Sequence, residues 1–141
     1  MEKWIIYAVV SMLFAGITAV IAKFGMKDLS SDTALAVRTT VVFIIVIANA
    51  FLFKNVLAEL QQAPSKNLIY LSVSGITAAL SWIFYYRAIK DGHVAYVASI
   101  DKASIVVTLV LSFIILKEPV TPKILLGAVF VTVGLVILVW K

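Results

Sequence analysis

The 141-residue chain has no cysteine, one histidine and three prolines, and only 13% of its residues are charged. Without cysteine it forms no disulfide and does no thiolate chemistry. The lone histidine, His93, stands beside Gly92 in an expected loop, which argues against a histidine-built metal or catalytic cluster within one chain. The sequence also lacks a nucleophile–base pair, a phosphate-binding glycine loop and a pair of carboxylates inside an apolar segment, so neither an enzyme nor a cofactor is expected. Its net charge of +5 comes without a basic run or a basic–aromatic platform, so nucleic acid is not an expected partner. Soluble domains carry about 25% charged residues. With half that amount, this chain cannot coat a water-soluble body.

What it has instead is apolar surface: 63% of the residues are hydrophobic and the mean hydropathy is +1.11. Five apolar segments stand out, at about Trp4–Ala22, Ala34–Phe53, Leu68–Tyr86, Val94–Leu116 and Ile124–Val139. Each is near the ~20 residues with which a helix crosses ~30 Å of hydrocarbon. None alternates apolar-out and polar-in as the strands of a membrane barrel do, which leaves helices as the spanning element. The first segment follows Met1-Glu2-Lys3 and ends at Lys23 without a small-residue cleavage site, so it reads as a retained helix rather than a signal peptide. The expected fold is an all-α integral membrane protein with five transmembrane helices in one domain, 1–141, with membrane lipid as its main solvent.

Connections are short. Ser30-Ser31-Asp32 can cap the second helix, and Pro119 and Pro122 end the fourth and help start the fifth. The longest connection, Lys54–Lys66, carries Val56, Leu57 and Leu60, which fit either a short interfacial helix or an ordinary loop turn. Five spans put the termini on opposite sides, here A for the N-terminus and B for the other. Side A is flanked by Lys3, Lys54, Lys66, Lys117 and Lys123, and side B by Lys23, Lys27, Arg87, Lys90 and Lys141. Orientation follows an excess of Lys and Arg on the cytoplasmic side. With five against five, or five against seven once Arg38 and Lys102 are added, the bias is weak, and either insertion both ways or one dominant orientation is open.

Charges inside the apolar segments are the candidate functional groups, because they are costly in hydrocarbon and need partners or a task. In the fourth segment Ala98, Asp101, Ser104, Thr108 and Ser112 fall on one stripe at about 100° per residue. Counted from side B, Arg38 and Asp101 differ in depth by only ~4–5 Å, so an Arg38–Asp101 ion pair is the simplest expectation. Lys102 lies about 100° round from Asp101 and is expected to snorkel toward side B or meet another helix. Lys23 is a peripheral member. The third segment places Gly75, Ala78, Ala79, Trp82, Tyr85 and Tyr86 on one face, where small residues admit a neighbouring helix and Trp82 and the tyrosines can wall a cavity with cation–π capacity, or Tyr85 and Tyr86 form an interfacial aromatic belt.

The order of these features resembles the EamA-type domain of the drug/metabolite transporter superfamily, in its short single-domain form. The resemblance runs through Trp4, Lys23-Phe24-Gly25, Thr33 to Thr39, Ser81 to Ala88, Asp101-Lys102-Ala103-Ser104 and Leu116-Lys117-Glu118-Pro119-Val120-Thr121, to Gly127 and Gly134 in the last helix. Lys117 stands where that family usually has glycine. The Asp101-Lys102 pair departs from a proline-containing sequence common there in two-domain members. Larger relatives carry two such five-helix domains in inverted orientation, which implies that a lone domain is a half-transporter bundle that pairs. The expected function is therefore transmembrane transport of a small molecule by alternating access, as an antiparallel homodimer with dual topology in the bacterial inner membrane. The expected substrate-binding residues are Arg38, Trp82, Asp101, Lys102 and Lys23. A non-transporting accessory subunit and a flippase for a lipid-linked metabolite are the alternatives.

Overall fold

The computed structural model describes residues 2–53 and 55–140, which are helical apart from short connections and contain no strand. Lys54 and Lys141, two of the flanking cations, lie outside the described residues. The helices are α1 (Lys3–Gly25), α2 (Ser31–Phe53), α3 (Val56–Gln62), α4 (Ser65–Asp91), α5 (Val94–Lys102), α6 (Ser104–Leu111) and α7 (Pro122–Val139), with a π-helical turn at Ser112–Leu116 after α6. Five stretches are long and apolar enough to cross a membrane: α1, Ser31–Leu52 within α2, α4, Val94–Leu116 and α7. They coincide with the five expected segments. The Lys54–Lys66 connection contains α3, the helix of the two readings.

Helices form here because hydrocarbon offers the backbone no other hydrogen-bond partner. Side-chain hydroxyls follow the same rule. Thr18, Thr40, Ser72, Ser99 and Thr132 each donate to the carbonyl four residues earlier, at 2.7–3.0 Å, so their polarity is spent inside their own helix. The ends are capped as the sequence indicates. The Ser30 hydroxyl accepts from the Thr33 amide at 3.1 Å, and the Thr121 hydroxyl accepts from the Ile124 amide at 3.3 Å with Pro122 as the first residue of α7.

The chain divides into two compact units, Met1–Lys90 and Asp91–Lys141. In the first, α1, α2 and α4 meet toward side B, where the buried residues concentrate. Met26 and Ile89 are fully enclosed, with Ala19, Leu35 and Tyr86 beside them. In the second, α5 packs on α7, and no described residue is fully buried. Large apolar side chains such as Phe14, Phe43, Tyr70, Phe84 and Phe130 are exposed along every span. That much apolar surface is stable only against lipid or another helix.

The fourth span departs from the single continuous helix expected. The Ala103 amide donates to the Ile100 carbonyl and the Val106 amide to the Ala103 carbonyl, both at 3.0 Å. These three-residue bonds tighten the chain directly after Asp101-Lys102, with no proline or glycine between residues 94 and 116. At its side-A end the span closes through Lys117 in the left-handed conformation (φ 54°, ψ 32°). This lets the Glu118 amide reach the Ser112 carbonyl at 3.4 Å and the Glu118 carboxylate accept from the Ser112 hydroxyl. A side chain with a Cβ costs about 1–2 kcal/mol in that conformation. Lys117→Gly is therefore expected to stabilise the protein by about 1 kcal/mol, read as a higher midpoint of denaturant unfolding in detergent; an unchanged or lower midpoint contradicts the left-handed turn.

Candidate functional site

The side-B end of the first unit is held by two lysines acting on each other's helices. Lys23, in the last turn of α1, donates to the carbonyls of Ile89 and Lys90 at 2.6 and 3.0 Å. Lys90, in the last turn of α4, donates to the carbonyls of Met26, Lys27 and Leu29 at 2.6, 3.4 and 2.9 Å. Both helix ends leave carbonyls without intrahelical donors and carry the negative end of the helix dipole. Each ammonium supplies donors and the complementary charge. Beside them Arg87 meets Asp32, in the first turn of α2, through two parallel contacts of 3.3 Å. Lys23, expected at the edge of a binding site, is thus placed as a helix-end clamp.

Arg38 has a different setting. It is the eighth residue of α2, about 10 Å from its side-B end at 1.5 Å per residue. Its guanidinium carbon lies 4.7 Å from the ring centroid of Trp82 and 5.8 Å from that of Tyr86, both on α4. Such ring contacts contribute about 0.5–2 kcal/mol, more as water is excluded. They do not satisfy the guanidinium's donors. Its Nη1 is buried without a hydrogen-bond partner, a state that costs about 1–3 kcal/mol, and within the first unit Arg38 makes no hydrogen bond or ion pair with any described residue. The rings hold the cation in place and leave its charge unneutralised.

Two clefts flank this cluster. One, of about 360 Å³ between α1, α2 and α4, is lined by Arg38, Tyr86 and Thr18 and otherwise by aliphatic residues including Ile21, Leu29 and Val37. The other, of about 650 Å³ between α2 and α4, runs along Ala36, Gly75, Ala78, Ala79 and Trp82 to the Asp32–Arg87 pair. The expected small-and-aromatic face of α4 is therefore split. Its small residues and Trp82 line the second cleft, while Tyr86 turns into the first.

In the second unit Asp101 and Lys102 contact each other, with Nζ 3.4 Å from Oδ2. Lys102, expected to snorkel toward side B or to meet another helix, has a largely exposed side chain whose ammonium also reaches the neighbouring Asp101 carboxylate. The expected stripe is not what α5 turns to α7: the groove of about 330 Å³ between them is lined by Ser99, Ile100 and Ala103 against Thr132, Leu135 and Trp140 among others, while Ser104 and Thr108 stay exposed. Of the five expected site residues, Arg38 and Trp82 meet in the first unit and Asp101 and Lys102 in the second. Tyr86, which the sequence fits equally to an interfacial belt, and Lys90, a basic residue in a last helical turn, were not among the expected site residues. Among the described residues no group of His, Asp and Glu has the arrangement of a metal site.

Comparison with known proteins names the family. The EamA-like transporter family matches residues 2–140. The chain is a member of that family. It is accordingly an integral membrane protein of a transporter family, and the single match spans both structural units. A protein of Sinorhizobium sp described as an uncharacterized transporter in the cobO 3′ region is 34% identical over 137 residues, 97% of this chain and 96% of that one. No solved structure matches.

The lysine clamp makes a prediction of its own. Lys23→Met and Lys90→Met, which keep the aliphatic stems, should each lower stability by about 1.5–3 kcal/mol, the range for hydrogen bonds to charged groups. Lys27→Met, which removes a neighbouring cation, should cost under about 0.5 kcal/mol, as surface substitutions do. Thermal unfolding in detergent separates the two outcomes, and equal losses at the three positions would exclude the clamp.

Proposed function

We propose that the protein is a carrier of the bacterial inner membrane that moves a small solute by alternating access, working as an antiparallel homodimer. Arg38 and Trp82 would be its binding groups in the first unit, and Asp101 and Lys102 those in the second. The observation that carries this reading is Arg38: a cation two turns inside a membrane span, seated on Trp82 and Tyr86, with its donors unmet within its own unit. A purely structural arginine would be expected to spend its hydrogen bonds, as Lys23 and Lys90 do.

Asp101 and Lys102 supply an ion pair that can open and close during a cycle, at the tightened turn where the fourth span is irregular. Irregular backbone at membrane depth is characteristic of transporter sites. The antiparallel dimer is supported by the odd number of spans and by the balanced flanking cations, since an inverted pair restores the two-fold symmetry on which such carriers operate.

Two measurements test the reading. Purified protein in liposomes should accumulate solute on its own, and Arg38→Ala should cut that flux by about tenfold to hundredfold, the equivalent of ~1.4–2.8 kcal/mol, while Arg87→Ala leaves it within about threefold. No flux from the purified protein under any gradient would favour the accessory-subunit alternative. For topology, Gln62→Cys introduces a sole cysteine on exposed α3. An impermeant thiol reagent should label about half the molecules from either face of the membrane; labelling from one face alone rules out the antiparallel dimer.

A further inference from the structure

We infer that the cleft at Arg38 takes a monoanion on an apolar body, namely the ionised form of a hydrophobic monocarboxylic acid. The inference rests on the carrier reading and adds a substrate class to it.

The charge argument comes first. Arg38 is the sole charged residue lining this cleft, so one negative charge balances it. A dianion would leave a charge uncompensated where water is scarce, and the ammonium of a zwitterion would find no carboxylate in the lining. A neutral solute would leave the guanidinium as it is.

Donors and acceptors point the same way. Arginine offers N–H groups and no acceptor. The Tyr86 hydroxyl makes no hydrogen bond within the first unit, and the Thr18 hydroxyl has already given its proton to the Phe14 carbonyl at 2.7 Å. The cleft therefore presents unspent donors at one end. A carboxylate is an acceptor and a planar match for guanidinium. Ile21, Leu29 and Val37 make the remaining wall apolar, and the volume of about 360 Å³ is that of a small organic ligand site.

The test uses the full-length protein in phosphatidylcholine nanodiscs, which contain no anionic lipid, with empty nanodiscs subtracted to remove bilayer partitioning. Four probes are titrated calorimetrically at neutral pH: phenylbutyrate, its amide with the same body and no charge, zwitterionic phenylalanine, and dianionic glutarate. Phenylbutyrate is expected to bind at least about tenfold more tightly than each of the others. In Arg38→Gln the preference for acid over amide should vanish, and in Arg38→Lys part of it should return. Equal binding of acid and amide, equal or tighter binding of phenylalanine or glutarate, no binding of phenylbutyrate, or an unchanged preference in Arg38→Gln would each overturn the inference. Should Arg38→Gln fail to fold, the wild-type ligand series and Arg38→Lys still decide. Acid preference in a protein that moves no solute would sink the carrier reading and leave the site standing. Flux of another solute without acid preference would do the reverse.

Discussion

A cation at or within the edge of hydrocarbon has to be met by something, and besides the Arg87–Asp32 ion pair the first unit does this in two ways. Lys23 and Lys90 are answered by backbone: five carbonyls at the ends of α1 and α4 and the connection after α1 accept from two ammonium groups. The close packing of Met26 and Ile89 under this clamp gives the unit its enclosed core at side B. Arg38 is answered by aromatic faces, which attract the charge without accepting all its N–H groups. The clamp ties α1 to α4, the Asp32–Arg87 pair ties α2 to α4, and Arg38 meets the two rings between α2 and α4. One kind of cation builds the scaffold, and the other remains available for chemistry.

This division explains why composition alone misleads about which charges matter. Arg87 has a bidentate carboxylate partner in Asp32, and the exposed setting of both side chains limits what that pair contributes. In the second unit, Asp101 and Lys102 stand at the tightened turn before Ala103. There an ion pair and a change of backbone geometry share one place. Charge and irregular backbone thus coincide in the second unit, while charge and aromatic surface coincide in the first.

Much of the fold was legible in the sequence, because spans of about 20 apolar residues admit one backbone solution in lipid. The cap at Ser30 and the start of α7 at Pro122 followed from local chemistry that operates over a few residues. Lys117 stands where a glycine is usual in the family, and its left-handed backbone supplies the physical reason for that glycine. The tightened turn at Ala103 was not legible, since no proline or glycine marks it. Arg38 and Trp82 were both expected as site residues and they meet, while the Asp101 that depth counting offered Arg38 as a partner belongs to the other unit. Depth fixes height along the membrane normal and leaves direction around each helix undetermined. The rings of Trp82 and Tyr86 lie at comparable depth on α4, and only packing shows that they face α2.

The state of Arg38 before any solute binds is the most direct measurement. Solid-state NMR of isotopically labelled protein in bilayers reports which carbons approach its guanidinium nitrogens. The expected spectrum of the solute-free protein shows contacts to ring carbons of Trp82 and a ring-current shift of the guanidinium signals that is lost in Trp82→Leu, with no carboxylate carbon in contact. A persistent contact to a carboxylate carbon, with guanidinium signals indifferent to Trp82→Leu, would mean that Arg38 is already neutralised and is not the group that receives the solute.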